Sequence, residues 1–240
     1  MAYAPAAELV APVANPPIPD LVNNILGAKQ YISPSYWIGW IVQQVCGTNP
    51  WEWVIEQYTG DWHAAAEASD ALKNLADFNR QYALAIESEG RAVFGDEWQG
   101  HAADAAKAYF DGIVKTLHDQ VAALESISGQ FHSLTAGMQE AAQGLQSLFQ
   151  DLTDLVIVAA ISAAATAASS WTVVGGIAGA LATAASIAAA VEVWYAVLSA
   201  HDAAWAGVQV FTGLVAGYLG GLQGMEQHAL PGSAYNHPGV

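Results

Sequence analysis

The chain has 240 residues, of which 54% are hydrophobic and 12% are charged, about half the usual charged share of roughly 25%. Its 22 acidic and 6 basic residues give a net charge of −16. This composition excludes a disordered polyampholyte. The negative charge would repel phosphate backbones, so we expect no nucleic-acid partner. The basic residues are Lys29, Lys73, Arg80, Arg91, Lys107 and Lys115, so the last 125 residues lack the Lys/Arg flanks that orient membrane helices.

The N-terminal segment, residues 1–20, is rich in Pro and Ala and is predicted to be extended or flexible. It lacks the basic region before an apolar run that marks a Sec signal. We therefore expect any export to follow a Sec-independent route.

Residues 21–60 have the pattern of short helices. We predict one helix over Asp20–Lys29 and a second over Ser35–Val45, which is ended by Gly47. Pro50 suits the first turn of a third short helix, which stops at Gly60.

Two long amphipathic helices are predicted over residues 61–152. Asp61 is the expected N-cap of the first, which runs to about Val93. Its large residues recur mostly at threes and fours: Leu72, Leu75, Phe78 or Asn79, Tyr82, Ile86 and Val93. After a break at Gly95–Gly100, the second helix carries a coiled-coil-like stripe from Phe110 to Leu152. Two such helices joined by a short turn predict an antiparallel hairpin.

Residues 155–191 contain no Asp, Glu, Lys or Arg. This stretch can form two helices of ~18 residues, joined near Ser169-Ser170 or near Gly175-Gly176. Because Ala is only weakly lipophilic, a tight soluble hairpin and a membrane-inserting one remain open alternatives. A last helix is expected over about Val193 to Gln227. Helix packing through small residues is expected at Gly175, Gly179, Gly213, Gly217 and Gly221.

These patterns together predict an all-α fold: a long antiparallel helical hairpin within an elongated helical bundle, with Ala/Gly-rich C-terminal helices. The predicted segments are a flexible N-terminus (1–20), short helices (21–60), the hairpin (61–152), the apolar helices (153–227) and a flexible tail (228–240).

The break between the long helices has a local physical interpretation. Gly95 suits the C-cap of the first helix, and Asp96 or Glu97 can cap the second. Trp98 is placed to cover the hairpin end or to seat a partner helix. Gly100 is expected to remove a Cβ where the two helices come close.

The motif Trp98-Gln99-Gly100, followed by "HAADAAKAYF", resembles the WXG family of helical-hairpin substrates of type VII (ESX) secretion. The matched region spans about Asp61 to Leu152. Two other Trp-x-Gly motifs, at Trp37 and Trp205, fall inside apolar helical stretches rather than between helices. The stretch before the hairpin is similar to the lead-in of larger actinobacterial WXG-type proteins, including the N-terminal modules of channel-forming toxins.

This resemblance implies a protein recognised by the secretion machinery through Trp98 and Gly100. It also implies a folded four-helix assembly, made with a second WXG-type chain or by packing on the chain's own C-terminal helices. Type VII substrates often carry Tyr-x-x-x-Asp/Glu after the hairpin, and no Tyr of this chain has that spacing. A partner chain could bring the export signal instead.

No catalytic or metal-binding pattern is recognisable. The seven His residues include no pair at the i, i+4 spacing of a helical metal site. Cys46 is the single cysteine, which excludes a disulfide within the chain, and we interpret it as a small apolar residue in a helix. We expect no enzymatic activity, no cofactor, no metal and no small-molecule substrate.

The aromatic residues have two interpretations. Trp37, Trp40, Trp51, Trp53 and Trp62 are expected to pack in a core. For Trp171, Trp194 and Trp205, core packing and membrane-interface anchoring both remain open. Two functions follow: a secreted protein that acts through helix–helix interaction, or a membrane-associated channel or pore component that inserts residues 155–191.

Overall fold

The computed structural model describes residues 3–15, 19–26, 36–94, 98–169 and 173–228, and these residues contain helices and no strand. The predicted all-α class is therefore confirmed. The α-helices are α1 (Leu21–Leu26), α2 (Tyr36–Cys46), α3 (Pro50–Tyr58), α4 (Trp62–Ala92), α5 (His101–Ser169) and α6 (Val173–Leu219). Short 3₁₀ helices span Pro5–Glu8, Gly220–Leu222 and Met225–His228.

The starts of α3 and α4 follow the predicted capping signals. The Asn49 side chain accepts hydrogen bonds from the backbone N–H groups of Trp51 and Glu52, and Pro50 occupies the first turn of α3. An Asp61 carboxylate oxygen lies 2.9 Å from the backbone nitrogen of Ala64, which donates to it. Both side chains satisfy donors that a helix start leaves unpaired, so the N-cap predicted at Asp61 is present.

The two longest helices extend beyond their predicted limits. α5 continues without interruption through Leu152 to Ser169, and α6 runs from Val173 through Val193 to Leu219. The expected separate helix starts near residues 153 and 193 are absent, because Ala-rich sequence without Gly or Pro at those points favours continued helix. The break expected near Ser169-Ser170 coincides with the end of α5, whereas Gly175-Gly176 lies inside α6.

The chain divides into two compact units. Unit 1 contains residues 1–15, 66–132 and 211–240, and unit 2 contains residues 16–65 and 133–210. α4, α5 and α6 each contribute residues to both units. Each unit has buried hydrophobic residues of its own.

Unit 1 contains the antiparallel pairing of α4 with α5. Ser69 on α4 donates a hydrogen bond to the carbonyl oxygen of Ser128, and further along α4, Asn79 donates to Gln120. Ala83 packs still further along, against Val114 and Leu117. Later residues of α4 thus contact earlier residues of α5, which is the antiparallel arrangement of a helical hairpin.

The buried face of α4 differs in part from the predicted one. The α4 residues in this face are small or polar, namely Ala76, Asn79 and Ala83, with Leu72 and Ile86 half-buried beside them. Leu75, Tyr82 and Val93, which were expected on the same stripe, are each at least 40% exposed. Alanine lets two helix backbones approach closely, so the Ala positions lie at the contact and the larger neighbours flank it.

Two terminal segments pack on the hairpin of unit 1. The backbone nitrogen of Val13 donates to an Asp70 carboxylate oxygen at 2.9 Å, so part of the segment predicted to be flexible contacts α4. At the other end, the Phe131 and Phe211 rings meet edge to face at 4.9 Å, and residues 220–228, which we call the C-terminal strap, continue along α5. The tail beyond His228 lies outside the described residues.

Unit 2 is built around an apolar core between α1, α2, α3, the second part of α5 and α6. Its largest fully buried side chains include Leu21, Ile41, Val54, Tyr58, Leu145, Leu152 and Val197. The stripe predicted on α5 supplies Met138, Leu145 and Leu152 to this core. The predicted stripe therefore lies partly in this core, whereas its first residue, Phe110, is 40% exposed.

Candidate functional site

The end of the hairpin in unit 1 is where the Trp-x-Gly motif lies. The backbone nitrogen of Trp98 donates to the carbonyl oxygen of Val93 at 3.2 Å, which closes the turn after α4. The predicted caps at Gly95, Asp96 and Glu97 fall outside the described residues. The Trp98 side chain is 42% exposed.

Gly100 has a different role from the predicted one. Its φ angle is +103°, a left-handed conformation that side-chain-bearing residues rarely adopt. A Cβ built at this position would meet no atom within 4 Å, so close approach of the helices is not what requires the glycine. The Gly100 carbonyl accepts the hydrogen bond from Asp104 N at 3.0 Å and thereby starts α5. Gly100 therefore sets the backbone direction between Trp98 and α5.

Trp98 lies beside an apolar groove of about 360 Å³, which we call the Trp98 groove. Its large lining residues are Tyr82, Ile86, Val93, Phe94, Trp98 and Phe110. The Phe94 ring lies between the rings of Trp98 and Phe110, at centroid distances of 5.8 Å and 6.3 Å, respectively. These separations are within the range of favourable aromatic contacts.

Much of the groove's apolar surface is exposed. Tyr82, Val93, Trp98 and Phe110 are each 40–42% exposed, although each carries a large apolar side chain. Contiguous apolar surface of this kind on a folded protein marks an interaction site more often than a single scattered residue does. The groove can accept apolar side chains of a partner.

A second depression, of about 370 Å³, shares Ile86, Gly90, Phe94 and Phe110 with the Trp98 groove. It is lined by charged residues that pair on their own helices: Arg91 with Glu87 at 3.9 Å, and Lys107 with Asp111 at 2.6 Å. An apolar groove beside a polar, internally neutralised edge has the composition of a protein–protein interface, with an apolar centre and a polar rim.

The sequence pattern identified Trp98 but not the groove. Tyr82 and Val93 have core-like spacing, and periodicity alone assigns such residues to the buried face. They become part of a surface only because α4 buries Ala76 and Ala83 instead. The sequence feature that indicates the buried face of α4 is the pair Ala76 and Ala83, seven residues apart.

The glycines predicted for helix packing have different surroundings. A Cβ at Gly213 or Gly217 would meet no atom within 4 Å, whereas one at Gly221 would lie 3.0 Å from the Ala123 Cβ. Gly175 and Gly179 are on α6, but their surroundings are outside the described residues. Close approach therefore involves Gly221 in the C-terminal strap.

An aromatic cluster in unit 2 surrounds His201. Its ring lies 4.8 Å from Trp53 and 5.9 Å from Trp205, and its Nδ1 is 3.2 Å from the Tyr58 hydroxyl. Burial lowers the pKa of His201, against the raising effect of Asp202, and burial followed by the Asp202 charge raises the pKa of Tyr58 to about 12. Both groups are therefore favoured in their neutral forms near pH 7.

Trp194, whose role the sequence left open, is a core residue. It is 5% exposed and makes edge contacts with Trp53 at 5.4 Å and Phe149 at 6.5 Å. Trp205 is half-buried, and its Nε1 has no hydrogen-bond acceptor among the described residues. Trp171 and the side chains of Trp37 and Trp40 lie outside the described residues.

Within residues 3–15, 19–26, 36–94, 98–169 and 173–228, no three His, Cys, Asp or Glu side chains are placed to hold a metal ion. Burial raises the pKa of the Cys46 thiol to about 12, which keeps it protonated at neutral pH. Cys46 packs against the core of unit 2, as expected of a small apolar residue.

Two helices are long and apolar enough to cross a membrane. They are the α5 region His101–Ala168 and the region Ala180–Leu222, which begins in α6; 33% and 17% of their most apolar windows are buried, respectively. Only the length and composition of these helices suit membrane crossing, and core helices of soluble proteins meet the same criteria.

Comparison with known proteins does not assign a family. No protein-family model matches the chain, and no curated protein or solved structure matches it either.

Proposed function

We propose that this chain is a non-enzymatic, secreted helical protein similar to type VII (ESX) substrates, and that it acts by docking a partner helix at the Trp98 groove. The observation that carries this proposal is the half-exposed Trp98 ring in an apolar groove at the end of a helical hairpin. Buried aromatic anchors at interfaces contribute disproportionately to binding free energy, so a partner that covers Trp98 would gain much of its affinity there.

The surroundings of the hairpin support packing on the chain's own C-terminal segment. Phe211 and the C-terminal strap contact α5, where a second WXG-type chain would otherwise pack. The Trp98 groove at the hairpin end remains accessible. In this proposal, the export machinery recognises that end directly, or an escorting chain binds it. The escorting chain would then supply the export signal, because no Tyr of this chain begins a Tyr-x-x-x-Asp/Glu motif.

Replacing Trp98 by Ala tests this function. We expect the variant to remain helical, because the side chain is 42% exposed, and to lose about 2 kcal/mol of partner binding, or ~30-fold in affinity. The measurement is the amount of protein in the culture medium relative to the cells, in an actinobacterial host with a type VII system and in an isogenic strain without it. Circular dichroism monitors the fold.

Tyr195→Ala is the matched control, because Tyr195 is an exposed aromatic residue of unit 2, far from the groove in sequence. Its export should equal that of the wild type. Secretion of the wild type from the strain without the type VII system would overturn the proposed export route. Equal export of Trp98→Ala and wild type would leave Trp98 with a structural role only.

A second candidate function is supported by a separate observation in unit 2. Val158, Ile161 and Leu181 are large apolar residues at 50%, 65% and 67% exposure, and they fall in the uncharged stretch 155–191. Exposed apolar residues in a long uncharged stretch suit a channel or pore component that inserts this stretch in a membrane.

Bilayer conductance tests this second function. Insertion predicts single-channel current in a planar bilayer and loss of that current in Ala188→Asp, because a charge at a helix centre costs about 2.5–3.5 kcal/mol on insertion. Ala188 is exposed, so the substitution should leave the soluble fold intact. Absence of wild-type current at every lipid composition tried would rule out the channel.

A further inference from the structure

The C-terminal strap fits closely on α5. Leu222 packs with Ala76, Val121 and Leu124, and its carbonyl oxygen accepts a hydrogen bond from Gln120 Nε2 at 2.9 Å. Gly221 lies against Ala123, at a distance where a Cβ would be 3.0 Å from its neighbour. A residue with a Cβ at this point would require the strap or Ala123 to shift by a few tenths of an ångström.

The far end of the strap is held by His228. The Tyr109 hydroxyl donates to the His228 carbonyl oxygen at 2.7 Å, and the Thr116 hydroxyl lies 3.0 Å from His228 Nε2. The ring passes directly over Gly112, where a Cβ would lie 2.8 Å from His228 Cε1. Gly224, with φ +119°, supplies the left-handed turn that brings His228 to this place.

His228 and Trp98 are joined by a continuous series of ring contacts. The centroid distances are 6.3 Å from His228 to Tyr109, 5.4 Å from Tyr109 to Phe110, and 6.3 Å from Phe110 to Phe94. Phe94 then contacts Trp98 at 5.8 Å. Phe110, Phe94 and Trp98 are all walls of the Trp98 groove, so Tyr109 links the strap to the groove.

We propose that the C-terminal strap regulates the Trp98 groove: docking of His228 on α5 fixes Tyr109, and Tyr109 holds the aromatic walls in the arrangement that receives a partner. Contacts at Leu222 and His228 hold the strap, so it can open locally without unfolding the hairpin. This inference rests on the proposed docking function of the groove. Tyr109 and His228 are positioning residues, since neither lines the groove.

Coupling between strap and groove follows from linkage. If the groove arrangement differs between the docked and released strap, a partner that prefers one arrangement shifts the strap equilibrium by the same factor. Couplings of this kind are on the order of tenfold in affinity. A series of ring contacts is only a route for coupling, so the coupling itself has to be measured.

The experiment uses the full chain labelled with 5-fluorotryptophan and requires no partner. The Trp98 signal in the ¹⁹F NMR spectrum is assigned by its loss in Trp98→Phe. Gly112→Ala introduces a methyl group that collides with His228, whereas Gly129→Ala makes the same change on the same helix with no atom within 4 Å. Ala favours the helix at both positions, so both variants should fold.

We expect the strap amides to exchange hydrogen faster in Gly112→Ala, because the methyl group displaces the His228 ring from its contact with Thr116, and we expect the Trp98 signal to shift or broaden with them. Gly129→Ala should match the wild type in both measurements. Tyr109→Phe, which keeps the ring but removes the hydrogen bond to His228, should shift the same Trp98 signal in the same direction by a smaller amount.

Two results would overturn the inference. Faster exchange of the strap amides with an unchanged Trp98 signal would show that the strap and the groove are not coupled. Unchanged strap exchange in both Gly112→Ala and Tyr109→Phe would show that these contacts do not hold the strap. Neither result depends on export, so failure of this coupling and failure of the proposed function are distinguishable: the latter is decided by the export of Trp98→Ala and of the wild type with and without the type VII system.

Discussion

Replacing Ala159 by Asp should destabilise the folded chain by about 3–5 kcal/mol at pH 7, the usual cost of leaving an uncompensated charge in a core. Ala159 is fully buried in the core of unit 2. The lower helix propensity of Asp accounts for at most about 0.7 kcal/mol of this loss, so burial of the charge dominates. The measurement is the free energy of unfolding from urea titration followed by circular dichroism.

Val158→Asp is the matched control, because it places the same charge on the adjacent residue of α5, which is 50% exposed. We expect its unfolding free energy to stay within about 0.5 kcal/mol of the wild type, as for most surface substitutions. Equal losses in the two variants would contradict the burial pattern of α5. The pair therefore reports which side of the uncharged stretch faces the core in solution.

Replacing Trp194 by Ala should cost about 3–5 kcal/mol, the range for removing a buried large aromatic side chain. The substitution removes the ring contacts with Trp53 and Phe149 and leaves a cavity between α3, α5 and α6. Because domains are stable by only about 5–15 kcal/mol, the variant should lose much of its stability. Thermal unfolding with near-ultraviolet circular dichroism would report the loss of packing.

Tyr195→Ala provides the comparison, since Tyr195 follows Trp194 on α6 and is 67% exposed. Its midpoint of unfolding should remain close to that of the wild type. A stable Trp194→Ala variant, or an equally unstable Tyr195→Ala variant, would show that Trp194 does not serve the core contacts described. Core packing would then no longer be a better explanation of Trp194 than anchoring at a membrane interface.

Much of the fold is predictable because helices depend on local sequence. The start of α3 at Pro50 and the cap at Asp61 both follow from signals within a few residues, and the end of α5 at Ser169 matches one of the two break positions that the sequence left open. The lengths of α5 and α6 were underestimated, because changes of composition near residues 153 and 193 resemble boundaries. The amino-acid composition can change along a helix, and the helix continues where no Gly or Pro lies at the point of change.

The candidate site was predicted in part. Trp98 follows from its motif, but Gly100 serves the left-handed backbone rather than close helix approach, and the motif does not specify the groove. Tyr82 and Val93 carry the periodicity of core residues, and nothing in their local sequence indicates exposure. Their exposure depends on how closely α4 approaches α5, which is set by pairs of residues far apart in the chain.

By itself, the sequence determined the all-α class, the starts of α3 and α4 and part of the apolar stripe of α5, because capping and helical periodicity involve residues within one or two turns. Only the tertiary structure decided which face of α4 is buried, where the strap docks and which aromatic residues form the Trp98 groove. The hydrogen bond between Tyr109 and His228 joins residues 119 positions apart. Contacts of that range depend on shape complementarity between surfaces, and no local pattern encodes it.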